Sequence, residues 1–268
     1  MRILVTGGCG FIGSHLVEKL THLGHEVTVI DNLSTGQSLP QYGFVKADIR
    51  DCDFPDCDII FHVAAKASIP DSLNNPYESH TNNVNGTLRV IEFARTKNIP
   101  IIFSGSSSVY DDHQNIKPVS PYALQKLICE QYLELYQKLY GLQSVVLRYF
   151  SVYGPRQPDY GSYQTVMSIF LNQKKAGLPF TITGNGEQRR DFVHVQDVVA
   201  ANIEAAKKIK GFEVKDIGTG VNHSVNEVAD MIDPKHPKEY IAPRIEPFAT
   251  LCKQPAAPDR LKEWLASL

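Results

Sequence analysis

The sequence predicts an α/β protein, a doubly wound parallel sheet followed by a smaller C-terminal lobe. Short apolar runs alternate with amphipathic stretches over roughly the first 150 residues. A glycine-rich turn, GGCGFIG at 7–13, lies between the first apolar run and the first amphipathic stretch. Beyond about residue 155 the alternation breaks up and prolines and glycines become denser.

Residues 2–6, RILVT, form a short apolar run bounded by glycine, as expected of a buried parallel strand. Phe11, Ile12, Leu16, Leu20 and Leu23 then recur at helical spacing up to Gly24, a C-cap candidate. A second strand over 27–30 ends at Asp31. Further strands are predicted at 44–47, 59–63, 101–103 and 144–147, with helices near 82–97 and 121–140. The stretch between residues 48 and 59 is so short that its connecting helix is expected to be missing. In the C-terminal part, helices are predicted at 162–176 and 196–208. The expected organisation is a nucleotide-binding domain over 1–155 and a substrate-binding lobe over 156–268, with some crossing of the chain between them. Substrate is expected where the lobe faces the carboxyl ends of the strands.

A chain of 268 residues holds ample material for a core, and a net charge of -2 gives no reason to expect nucleic acid or anionic membrane as a partner. No apolar run reaches the roughly 18 residues of a membrane span, and the N-terminus enters a strand directly, so no leader is expected. The cysteines, Cys9, Cys52, Cys57, Cys129 and Cys252, are odd in number and scattered. Cys52 and Cys57 have no second pair or histidine spacing beside them, so no metal is expected and a reducing cytoplasm is the default.

The glycine turn suits a dinucleotide. Gly7 and Gly10 would let backbone N–H groups approach a pyrophosphate, Gly13 would pack helix on strand, and the helix N-terminus favours an anion. Asp31, about twenty residues on, stands where an acid would bind the ribose hydroxyls. An acid there repels a 2′-phosphate, which favours NAD over NADP. Tyr122 and Lys126 are an i, i+4 pair on one helical face. A phenol with a pKa near 10 is a poor base at neutral pH, and lowering it to about 7 takes roughly 4 kcal/mol of differential stabilisation. An adjacent ammonium and a positive nicotinamide both act in that direction. Such a tyrosine could remove a hydroxyl proton while hydride leaves the carbon. Upstream, the hydroxyl-rich run 104–108 at the end of a strand could hydrogen-bond the reacting oxygen.

GGCGFIG, DNLSTG (31–36), ADI (47–49), NNVNGT (82–87), SSSVY (106–110), YALQK (122–126), RYFSVYGPRQ (148–157) and RRDFVHVQDV (189–198) together resemble the extended short-chain dehydrogenase/reductase (NAD-dependent epimerase/dehydratase) family, most of all its UDP-glucose 4-epimerases. The resemblance runs in order over about residues 1–220. It implies a Rossmann domain, bound NAD, a UDP-linked hexose substrate and 4-epimerisation through a transient 4-keto intermediate. By position, Gly7, Gly10, Phe11, Ile12 and Gly13 match the family's pyrophosphate turn, Asp31 and Asn32 its ribose contacts, and Asp48 and Ile49 its adenine contacts. Lys66 and Asn82 match cofactor-binding residues. Ser106 matches the catalytic Ser or Thr, Tyr122 the base, and Lys126 the lysine that binds the nicotinamide ribose. Tyr149 and Phe150 match the nicotinamide end, and Arg190 and Arg244 the arginines on the nucleotide diphosphate.

There are departures from the family pattern. Ser151 stands where an Asn is usual at a diphosphate or sugar contact, and Asp111 replaces a Gly. Only eleven residues separate Tyr110 from Tyr122. These shortenings lead us to expect a more open sugar pocket. Leu251 falls near a position governing room for an N-acetyl group. Dehydratases and decarboxylases share the fold and the Tyr–Lys couple, but Ser107 and Ser108 stand where dehydratases carry an Asp-Glu pair, and the Glu of decarboxylases is absent from this segment, although Asp111 and Asp112 lie close. A non-catalytic NAD-binding protein is the remaining alternative, against which the intact Ser106, Tyr122 and Lys126 count. The resemblance also implies a homodimer through the helices at 82–97 and 121–140.

Overall fold

The computed structural model describes residues 1–36, 40, 43–159, 164–243 and 249–268. The first half runs β1 (Arg2–Thr6), α1 (Phe11–His22), β2 (Glu26–Asp31), β3 (Phe44–Lys46), β4 (Ile59–His62), α2 (Ile69–Asn74), α3 (Pro76–His80), α4 (Gly86–Lys97), β5 (Ile101–Ser106), α5 (Pro121–Tyr140) and β6 (Ser144–Tyr149). The second half adds β7 (Ser151–Tyr153), α6 (Val166–Ala176), β8 (Phe180–Thr183), β9 (Arg189–His194), α7 (Val195–Lys207), β10 (Phe212–Ile217), β11 (Asn222–Ser224), α8 (Val225–Ile232), β12 (Lys238–Ile241) and α9 (Leu261–Ala266). Among the described residues no helix is long and apolar enough to cross a membrane.

Seven strands form one sheet in the order β10-β6-β5-β4-β1-β2-β3. Every neighbouring pair in it is parallel. The order reverses between β1 and β4, so their connections leave in opposite directions and open a crevice at the carboxyl ends of these strands. Because side chains alternate, Ile3 and Val5 join Leu16, Val29, Phe61, Val145 and Val198 in the core on one face of the sheet. Leu4, Ile30 and Ile60 join Val90, Ile91, Phe103 and Leu133 on the other.

Local sequence explains the helix that carries Tyr122. Ser120 caps α5 by accepting from the Ala123 N–H at 3.2 Å, Pro121 opens its first turn, and Gly141 closes it at a φ of 73°. Between β3 and β4 the described residues carry no helix, as the short stretch implied. The strand expected at 101–103 continues to Ser106, and a 3₁₀ turn over Ser107–Val109 follows, so the serine run is regular backbone rather than loop. A π-helical turn over Thr81–Asn85 precedes α4, which the helical spacing alone did not reveal.

The lobe is not one continuous segment. The helix expected there at 196–208, α7, instead covers the main sheet, because Val195, Val198, Val199 and Ala205 make one apolar stripe that packs into the first core. β10 is an edge strand of the same sheet. The lobe proper is built on two small sheets, β11-β9-β7 and β12-β8, around Tyr153, Met167, Phe170, Phe180, Phe192 and Val228.

Candidate active site

At the carboxyl end of β1, Gly7 takes a φ of 71° and its N–H donates to the Ile30 carbonyl at 2.8 Å. A Cβ on Gly13 would lie 2.1 Å from the Gly7 carbonyl oxygen, so only glycine lets α1 start this close to the strand. Among the described residues, a Cβ on Gly10 would meet only that same oxygen, at 3.4 Å, whereas Gly36 packs against Cys9 of the turn, where a Cβ would come within 2.7 Å of the Cys9 carbonyl carbon. Among the described residues no side chain caps α1, so its first N–H groups, from Phe11 onward, have no side-chain acceptor there. An open glycine cradle, an uncapped helix N-terminus and an acid at the end of β2 fit a dinucleotide pyrophosphate and ribose.

That acid, Asp31, accepts from the Cys9 N–H at 3.0 Å and from the Leu33 N–H at 2.8 Å, which fixes its carboxylate against the turn. Asn32 donates to Asp48 at 3.0 Å. The Arg50 fork takes both Asp48 oxygens at 2.9 Å, and this bond holds the Asp48 carboxyl down at about 2. Asp48 is thus tied to Arg50, and Ile49 next to it is packed in the second core.

Lys66 is held through its backbone. Its N–H donates to Asn83 Oδ1 at 2.8 Å, and its carbonyl accepts from Asn83 Nδ2 at 3.2 Å. Asn83 also donates to Gln125 on α5 at 2.8 Å, whereas Asn82 reaches back to Glu78 at 2.9 Å. Asn83 is a site-building residue that sequence reasoning passed over. Its only sequence signal was its place beside Asn82 in NNVNGT.

Tyr122 and Lys126 lie on α5, which packs on β5 and the 3₁₀ turn after it, and Ser106 is the last residue of that strand. The Ser106 hydroxyl accepts from the Ser108 N–H at 3.2 Å and lies 2.9 Å from the Ser108 hydroxyl. Lys126 Nζ donates to the Ser104 carbonyl at 2.8 Å and stands 6.0 Å from the centroid of the Tyr122 ring. Tyr122 is itself buried, and its backbone N–H donates to Ser72 Oγ at 3.2 Å. Behind this group the fully buried His62 bridges Thr6 at 2.6 Å and Thr87 at 2.9 Å, and burial drives its imidazole down to about 3, so it stays neutral.

Burial lowers the Lys126 ammonium from 10.5 to about 8, with the charge of Glu130 working the other way. Below pH 8 both folded and unfolded chains hold the proton, and the full penalty, on the order of 3 kcal/mol, is present. Between about 8 and 10.5 the unfolded chain holds more protons, so the Lys126 contribution to stability rises with pH. In the cofactor-free protein, NMR of labelled lysine side chains is expected to find one ammonium titrating near pH 8. Titration of every lysine near 10.5 would contradict this environment.

Tyr149 is packed in the first core, its hydroxyl 3.1 Å from Ser104 Oγ and taking a 2.8 Å bond from Asn202. Phe150 is buried with its ring 6.5 Å from that of Tyr110, and Ser151 opens β7. On β9, Arg189 pairs with Glu227 at 2.9 Å, while Arg190 donates to the Arg189 carbonyl at 2.8 Å. The next residue, Asp191, is fully buried and accepts from the Thr219 N–H and hydroxyl and the Gly220 and Cys252 N–H groups, which ties β9 to the 218–220 turn and to Cys252. Arg244 lies outside the described residues. Among the described residues no group of three or more His, Cys, Asp or Glu side chains could hold a metal.

The family model described as the NAD dependent epimerase/dehydratase family matches residues 3–218. The chain belongs to this family. It is 36% identical to the UDP-glucose 4-epimerase of Mycolicibacterium smegmatis, over 91% of this chain and 87% of that one. Among solved structures, it superposes with a TM-score of 0.91 on a UDP-N-acetylglucosamine 4-epimerase from Methanobrevibacter ruminantium M1 in complex with UDP-N-acetylmuramic acid, at 34% identity over 98% of this chain and 95% of that one. A Thermus thermophilus UDP-glucose 4-epimerase in complex with NAD superposes with a TM-score of 0.85, at 32% identity over 98% of this chain and 93% of that one. This NAD complex agrees with the cofactor that the glycine turn and Asp31 select.

Proposed function

We propose that this chain is an NAD-dependent 4-epimerase of UDP-linked hexoses, of the UDP-glucose/UDP-galactose type. The observation that supports the reading is that the helix carrying Tyr122 and Lys126 packs on β5, the strand that ends in Ser106, with Lys126 bonded to the Ser104 carbonyl of that strand, and that β5 lies in the same sheet as β1, which leads into the glycine cradle. NAD, when bound, supplies the acceptor and later the donor of one hydride. Tyr122 takes the proton of the sugar 4-hydroxyl, and its phenolate is favoured by the positive charge of Lys126. Ser106, positioned by its Ser108 contacts, hydrogen-bonds the reacting oxygen. The 4-keto sugar turns about its diphosphate, and Tyr122 returns the proton once the opposite face has been reduced. Arg190 on β9, Arg244 and Ser151 are assigned to the diphosphate and sugar, and the lobe around β7 and β9 to substrate binding. Asp31 and Asn32 are assigned to the ribose, Asp48 and Ile49 to the adenine, and Lys66, Asn82, Tyr149 and Phe150 to the rest of the cofactor. There is no net redox change, so the cofactor remains bound through turnover.

The direct test is incubation with UDP-glucose, UDP-galactose and their N-acetyl and uronic acid counterparts, followed by NMR with no cofactor added. Interconversion of a 4-epimer pair supports the reading and names the sugar. A keto or pentose product would instead assign the chain to the dehydratases or decarboxylases, and silence across the panel would withdraw the UDP-hexose assignment.

The same reading includes a homodimer in a reducing cytoplasm. Leu124, Leu135 and Leu139 lie 48%, 46% and 60% exposed along α5, and their spacing aligns them as one apolar stripe. Paired α4 and α5 helices from two copies would cover it as a four-helix contact. Light scattering is expected to give twice the chain mass, and Leu135→Glu to shift it to the monomer. A monomeric wild-type protein would remove the dimer from the account. All five cysteines are unpaired thiols, which fits that compartment.

A further inference from the structure

We propose that Tyr110 is a positioning residue for the reaction: the chain Glu130–Arg148–Tyr110–Asp216, buried at its Glu130–Arg148 end and partly buried at Tyr110 and Asp216, locks the turn that carries Ser106 against the helix that carries Tyr122. Ser106 ends β5 and Tyr122 opens α5, so their spacing depends on what joins these two elements. Glu130 lies on α5 one turn beyond Lys126 and two beyond Tyr122. Its carboxylate takes the Arg148 fork, Nη2 at 2.6 Å and Nε at 3.1 Å, with side chains only 4% and 9% exposed. From β6, the remaining arm of Arg148 donates to the Tyr110 hydroxyl at 2.6 Å, and its guanidinium lies 5.1 Å from the centre of the Tyr110 ring. The Tyr110 hydroxyl in turn donates to Asp216 on β10 at 2.9 Å.

Tyr110 is also the residue that closes the serine turn. Its N–H donates to the Ser107 carbonyl at 3.1 Å, directly after Ser106 is held by Ser108. The network packs under the same strand end, since a Cβ on Gly105 would stand 3.1 Å from Glu130 Oε1 and 3.2 Å from Arg148 Cγ. Its protonation is defined as well. Burial pushes the Tyr110 phenol up to about 12, so it keeps its proton and donates to Asp216. Burial also raises both carboxyls, and the shared guanidinium opposes that rise. With its hydroxyl occupied on both sides by Arg148 and Asp216, Tyr110 does not take part in proton transfer. Its effect passes through Ser106.

The inference rests on the epimerase reading, and a double-mutant cycle separates the two. Tyr110→Phe removes one hydroxyl and is expected to lower kcat on the order of tenfold to a hundredfold, with the KM for the UDP-sugar and the NAD content unchanged. In a Ser106→Ala background the same change is expected to have no further effect. Asp216→Ala should behave like Tyr110→Phe and provides the same cycle if that variant does not fold, whereas Asp216→Asn, which retains an acceptor for the Tyr110 hydroxyl, should keep kcat within about twofold. A lowered melting temperature with unchanged kcat, or equal losses in the presence and absence of Ser106, would overturn the positioning role alone. An inactive wild-type protein across the UDP-sugar panel would overturn the epimerase reading and this inference with it.

Discussion

Tyr122→Phe lowers kcat for 4-epimerisation by about 10²- to 10⁴-fold, with the fold and the NAD content unchanged. The substitution deletes one oxygen and no packing volume. Tyr122 sits in α5 through its backbone and its ring, and both remain in the variant. The loss would therefore report proton transfer, not collapse of the site. Lys126 gives the expectation its direction. Its ammonium is buried and its Nζ is fixed on the Ser104 carbonyl, so its charge acts on the phenol through protein rather than through water. Rate assays on NAD-loaded protein, with circular dichroism as the control for folding, check the prediction. A variant that turns over at the wild-type rate would remove Tyr122 from the chemistry and revive the idea of a non-catalytic NAD-binding protein.

The second large effect is expected at the glycine turn. In Gly13→Ala the new Cβ would fall 2.1 Å from the Gly7 carbonyl oxygen and 2.8 Å from the Gly8 Cα. These are backbone atoms, which cannot rotate away, so α1 and the end of β1 must separate. Forced overpacking of this kind costs about 1–3 kcal/mol or more, and it opens the cradle expected to hold the pyrophosphate. The protein is expected to emerge from purification without NAD and with a lower melting temperature. Retention of a full complement of NAD by Gly13→Ala would contradict so close a packing of α1 on β1.

What the sequence made legible were features that local order encodes. The glycine turn, β1, α1 and the acid at the end of β2 occur within about thirty residues, where glycine placement and side-chain period decide the structure without distant partners. The same holds for α5, whose Ser-Pro start and glycine stop frame Tyr122 and Lys126. The membership of α7 and β10 was harder to read, because an apolar stripe does not say which sheet it covers. Asn83 and Asp191 were missed for a related reason. Each is a polar side chain whose role appears only when chain segments far apart in sequence meet, as when Asp191 gathers donors from Thr219, Gly220 and Cys252. The Tyr110–Asp216 bond joins residues 106 positions apart, which no spacing rule anticipates. The shortened loop after Tyr110 reaches the C-terminal segment, a contact between residues far apart in sequence that spacing does not reveal. Asp112 accepts from the Ala249 N–H at 3.1 Å, and Gln114 donates to the Leu251 carbonyl.

In the proposed reaction hydride leaves and returns to one sugar carbon while the cofactor stays bound. UDP-glucose carrying deuterium at C4, incubated with the purified protein in ordinary water with no NAD added, distinguishes this route from exchange with solvent. The expected product is UDP-galactose that retains the deuterium at C4 with inverted configuration, with no label in the solvent. Epimerised product that has lost its label to water would contradict it.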